Sequence, residues 1–156
     1  MIDLVVFLSA ALLAGPASYD CTLDPPRALG GAPGEERSTP IGIPDLGPLR
    51  FQIRLAEQRG GGIEADVRWL GNPLGIAGRT PALATGEGAV AFVAMSAGPC
   101  LFTETACLTL VNLVDETPER ARVVLMPSAL TTMGNGQRRP FTVLLSGICT
   151  RSETDR

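Results

Sequence analysis

The chain has neither histidine nor lysine; all 13 of its basic side chains are arginine. Without histidine there can be no Ser–His–Asp or Cys–His nucleophile system, and the usual general base and commonest metal ligand are missing. Without lysine, Ser–Lys dyads are excluded as well. The four cysteines, Cys21, Cys100, Cys107 and Cys149, form no Cys-x-x-Cys pair. A zinc site and a thiol redox motif are therefore not expected, and no cofactor is implied. Strong charge of either sign is also absent, since 13 arginines face 16 acids for a net −3. That balance leaves no electrostatic footprint for nucleic acid or an anionic membrane. The abundance of Ala, Gly, Pro and Arg reads as the coding bias of a GC-rich genome.

What is present begins with Leu4–Leu13 (LVVFLSAALL), apolar apart from Ser9 and followed by Gly15-Pro16-Ala17. The run is too short for a membrane span of about 20 residues but suits the apolar core of a signal peptide. Residues 1–17 are expected to be an export signal, though Met1-Ile2-Asp3 lacks the usual basic residue. The alternative is a buried N-terminal strand or helix. Ser18-Tyr19-Asp20 precedes Cys21, so a lipoprotein attachment site is not expected. Cleavage would remove only Asp3 among charged side chains, leaving 13 arginines against 15 acids in 18–156. Four cysteines in that part suit an oxidising compartment, periplasmic or extracellular, where disulfides persist. No stable membrane insertion is expected after cleavage.

Residues 18–156 suit a single domain. Asp24–Pro40 (DPPRALGGAPGEERSTP) has no periodicity and is expected to be a flexible loop. Elsewhere apolar and polar residues alternate in short runs. Tyr19-Cys21-Leu23 is one, and Phe51-Ile53-Leu55 is a second. After Gly60-Gly61-Gly62 the pattern resumes as Ile63-Ala65-Val67-Trp69, which predicts a hairpin. Ala89–Met95, Cys107–Val114, Ala121–Met126 and Phe141–Cys149 read as further, more apolar strands. A short strand within 75–78 is expected ahead of Arg79–Gly88. About seven to eight strands without capped helices predict an all-β domain, a small antiparallel barrel or sandwich tied by disulfides.

Few residues suggest chemistry. Gly86-x-Gly88-x-x-Ala91 has the spacing of a phosphate-binding loop but precedes a strand pattern, so it reads as a turn. Glu64 and Asp66 share one strand face and could divide acid and nucleophile roles in glycoside hydrolysis. The plainer reading is a solvated face neutralised by Arg54 and Arg68. Trp69 shares the parity of the apolar positions, which favours burial over a sugar-stacking platform. Cys21 and Cys149 lie on the apolar parity of the first and last strands, and Cys100 and Cys107 close a short local ring. Of three possible connectivities, Cys21–Cys149 with Cys100–Cys107 is expected. That ring would present Leu101, Phe102 and Glu104 as a contact site, although Phe102 could equally plug the core.

Ser18-Tyr19-Asp20-Cys21, Gly98–Cys107 (GPCLFTETAC) and Ser146-Gly147-Ile148-Cys149 resemble small exported proteins of unknown function from high-GC Gram-negative bacteria. Tyr19-x-Cys21 at the start of the domain is also similar, at fold level, to periplasmic lysozyme-inhibitor barrels, whose first strand is tied to a later one. The exported family brings no assigned activity, and the leading expectation is a non-catalytic exported binding or envelope-accessory protein, an inhibitor being one form. A small-ligand carrier with a lipocalin-like cavity and a carboxylate-dependent hydrolase using Glu64 and Asp66 are the alternatives. The partner is expected to be a protein or small molecule rather than nucleic acid.

Overall fold

A computed structural model describes residues 16–24, 27–29, 38–40, 49–69, 77–96, 106–132 and 136–152. Period-two alternation forces each segment to turn one face to the interior and the other to water, and strands satisfy that requirement with fully paired backbones. Every regular element among the described residues is a strand. In chain order these are β1 (Ala17–Leu23), β2 (Arg27–Leu29), β3 (Ser38–Pro40), β4 (Arg50–Glu57) and β5 (Ile63–Trp69). They continue as β6 (Gly78–Gly86), β7 (Ala89–Met95), β8 (Leu108–Thr117), β9 (Arg120–Thr132) and β10 (Arg138–Ser152).

Eight of them close into an antiparallel barrel, in the order β1-β4-β5-β6-β7-β8-β9-β10, with β10 returning to β1. Of the two expected architectures, the barrel is the one formed. Closure removes the exposed sheet edge that a sandwich would leave. The expected hairpin is β4–β5, pairing Phe51 with Trp69 through Glu57 with Ile63. Its turn is held by Gln58 N–H donating to Gly62 O at 2.7 Å and Gly61 N–H donating to Gln58 O at 3.1 Å.

Two expectations need correction. Of the short strand expected within 75–78, residues 75 and 76 lie outside the described residues, and β6 runs from Gly78 to Gly86 through residues lacking any apolar alternation. Only Ala82 in it is buried; β6 exists because β5 and β7 supply ladders on both sides. Pro81 has no N–H to give, and Thr80 Oγ1 donates at 2.8 Å to the Val93 carbonyl facing it across that ladder. The Asp24–Pro40 stretch also contains structure. Strands β2 and β3 pair with each other, and β2 continues along β10 where β1 leaves off. Asp24 N–H donates to Ser146 O at 2.7 Å.

The interior is one continuous apolar cluster. Tyr19, Cys21, Phe51, Ile53, Val67, Phe92, Val111, Leu113, Leu125, Leu145 and Cys149 are all buried within it. Each large side chain contributes roughly 1.5–3 kcal/mol relative to exposure. Gly147 sits among them because β1 runs too close for a side chain. A Cβ there would press on the Thr22 carbonyl and lie 2.8 Å from Leu23 Cα.

Candidate functional site

The cysteines of the first and last strands face each other in register, Cys21 opposite Cys149, with Cα atoms 3.9 Å apart and the sulfurs bonded. Both are buried, so this disulfide is structural rather than an accessible redox pair. Cys107 is disulfide-bonded as well. Cys100, Leu101, Phe102 and Glu104 lie outside the described residues.

Strand bounds divide the barrel into two unlike ends. At one, the connections are short: 58–62, 87–88 and 118–119. The two longer connections, 70–77 and 96–107, leave from the other, together with 133–137, which matches 58–62 in length; there β10 extends beyond β1 to carry β2, and β2 carries β3. In antiparallel barrels the longer connections are the positions free to vary and to bind.

One of these longer connections is fastened at its base. Ser96 N–H donates to Cys107 O at 3.0 Å, and Cys107 N–H donates to Ser96 Oγ at 2.8 Å. Ser96 and Cys107 are both buried. The two bonds fasten Ser96, at the end of β7, to Cys107, just ahead of β8. Ser96 was not legible as a site residue, because an isolated serine after a strand has many local roles.

At the opposite end the barrel is sealed by a polar contact. Tyr19 Oη donates to Asp115 Oδ1 at 3.0 Å, joining β1 to β8. Gly88, at φ 66°, accepts Asp115 N–H through its carbonyl at 2.8 Å, and a Cβ on it would lie 3.2 Å from Asp115 Cβ. Burial, followed by the Asp115 charge and hydrogen bond, pushes the Tyr19 hydroxyl up to about 12, with Arg151 opposing. A phenol held protonated this firmly is a structural donor, ill suited to act as a base near neutral pH.

Glu64 and Asp66 stand on the outer, convex wall of β5. Asp66 pairs with Arg68 at 3.2 Å, as expected. Glu64 is met by Arg79 at 3.9 Å and by Gln58 Nε2 at 3.1 Å, not by Arg54. Arg54 lies opposite Asp66 in the ladder, yet the ladder positions do not bring its charge into an ion pair. Trp69 ends β5 opposite Phe51. Gly86 ends β6 and Gly88 lies in the two-residue turn before β7, so the glycine motif is a turn ahead of a strand, as expected.

No protein-family model, curated protein or solved structure matches this chain. Among the described residues, no cluster of three or more His, Cys, Asp or Glu is placed to hold a metal ion. No helix among them is long and apolar enough to cross a membrane.

Proposed function

We propose that this chain is an exported, non-catalytic binding protein of the periplasm or cell exterior, directed there by residues 1–17. Its contact site is the end of the barrel that carries the longer connections. The observation behind this reading is the fastened stem of 97–106, where Ser96 and Cys107 exchange two hydrogen bonds at the barrel rim. A connection rooted in this way loses less conformational freedom when it docks, which favours binding. Leu101, Phe102 and Glu104 are its contact residues.

The continuous buried cluster inside the barrel supports surface recognition over a lipocalin-like carrier, which needs an internal cavity. The outward, ion-paired placement of Glu64 and Asp66 supports a solvated wall over a hydrolase. Inhibition of a lysozyme is the finer form of the proposal, resting on the resemblance carried by Tyr19-x-Cys21.

The test is capture from periplasmic extract with the oxidised protein, followed by titration of the purified partner, with lysozyme turnover as a parallel assay. Phe102→Ala and Ser96→Ala should each weaken binding about tenfold or more. Unchanged affinity in both variants would remove this end of the barrel from the proposal.

A further inference from the structure

The first strand of the barrel starts at the bond where the export signal is expected to end. Ala17 is the first residue of β1, 6% exposed and opposite Leu55 of β4. Ser18 is paired on both sides, with Arg54 of β4 and Ser152 of β10. Tyr19 follows between Ile53 and Arg151, buried, with its hydroxyl donating to Asp115 Oδ1 at 3.0 Å. Beyond it on the same strand, Cys21 is bonded to Cys149. No free tail separates the Ala17–Ser18 bond from the barrel. The double ladder, a buried aromatic anchor and a disulfide follow it at once.

We infer that the Ala17–Ser18 bond is a processing site that folding closes, so that the export signal is removed only while β1 is still unpaired. The inference rests on the reading of residues 1–17 as an export signal. A peptidase holds the residues on both sides of the bond it cuts in an extended form, using their backbone N–H and C=O groups. In the barrel this stretch of β1 already gives those groups to β4 and β10. Fraying of Ala17 alone does not release the bond. Ser18 and Tyr19 would have to leave both neighbouring strands, and Tyr19 its buried contact with Asp115. An opening of that extent lies toward the global end of local unfolding, and cleavage tracks the population of the open form.

Hydrolysis adds one water across the amide, leaving the Ala17 carboxylate on the released signal and the Ser18 ammonium at the first rung of the ladder. It needs nothing beyond water and a membrane-bound signal peptidase. Strand order supplies the time. β10, which covers one side of β1, is the last strand among the described residues. β1 cannot meet it until 138–152 have followed across the membrane. Until then β1 has only β4 as a partner, and an isolated strand pair is marginal in water. A chain that crossed already folded, with Cys21 and Cys149 joined, would arrive with the bond closed. Export of this chain is therefore export of an unfolded polypeptide.

Full-length protein and a purified bacterial signal peptidase in detergent test this. One sample is diluted, reduced, from urea straight into the enzyme. The other is first refolded and oxidised, with circular dichroism establishing its fold. Intact-mass measurement should show residues 1–17 released from the first sample, and release slower by about a hundredfold or more from the second. A Gly-Ser-Gly-Ser spacer inserted between Ala17 and Ser18 moves the bond out of the ladder. It should let the folded protein be cut as fast as the unfolded one. Equal rates for the folded and unfolded parent overturn the inference and leave the export signal standing. A folded spacer variant as resistant as the parent also overturns it, because the protection would then lie outside the ladder. An unfolded sample left uncut, or cut elsewhere, removes the export signal itself and this inference with it.

Discussion

Tyr19 and Asp115 join strands on different sides of the barrel through a 3.0 Å hydrogen bond at the end with the short turns. Tyr19 is the chain's only tyrosine, so its ionisation can be read directly from absorbance near 295 nm. The tyrosinate transition should centre near pH 12 instead of 10. The sign for stability follows from proton binding. Between about pH 10 and 12 the folded state keeps a proton that the unfolded state has released, so stability falls as pH rises through that window. The contribution is whole below pH 10 and amounts to about 2–3 kcal/mol. Urea unfolding at pH 9 and pH 11 should show the loss, and Tyr19→Phe should abolish it while costing about 2 kcal/mol at neutral pH. A transition near pH 10 in the folded protein would show that Tyr19 is not held buried against Asp115 in solution.

Thr109 on β8 is fully buried, and its hydroxyl has no hydrogen-bond partner. It stands opposite Ala94 on β7 and Pro127 on β9. An unpaired buried hydroxyl costs about 1–3 kcal/mol, so the near-isosteric Thr109→Val should stabilise the fold by about 1 kcal/mol. Chemical denaturation measures it, and a destabilised variant would imply a partner for the hydroxyl in solution.

Cys21 and Cys149 are 128 residues apart in sequence, so their bond restricts a long loop in the unfolded chain. Chain-entropy arguments put its worth at about 5 kcal/mol as an upper figure, against about 2.5 kcal/mol for the eight-residue ring that Cys107 would close with Cys100 under the proposed pairing. Cys21→Ala should consequently lower the urea midpoint more than Cys107→Ala. Peptide mapping without reduction checks both pairings, and a fragment joining Cys21 to Cys107 would contradict the register.

Glu64 and Asp66 should each tolerate alanine with a loss below about 1 kcal/mol, because their ion pairs lie on an exposed wall and are screened. The double variant should fold, and glycan turnover, if any is found, should be unaffected. Turnover abolished by both substitutions in a folded protein would reinstate the hydrolase.

Much of the barrel was legible because its strands alternate. Phe51-Ile53-Leu55 and Ile63-Ala65-Val67 announce a wall with one dry face, and the three glycines between them announce the turn. Strand β6 was not legible. Its residues carry little apolar signal of their own, and neighbours on both sides make it a strand. The same holds for β2 and β3, three residues each, which exist only because β10 is long enough to pair with them.

The sequence by itself determined the class of fold, the parity of each clear strand and the inward direction of Cys21 and Cys149. Those properties are local, set by the period-two pattern and by residue size. It also excluded histidine and lysine chemistry outright. Tertiary structure alone decided that the sheet closes, that Tyr19 meets Asp115 and that Ser96 fastens the root of 97–106. It also decided that Ser18 is paired on both sides, with Arg54 and Ser152. Each of these depends on register between strands distant in sequence, and register is chosen by the packing of the whole interior.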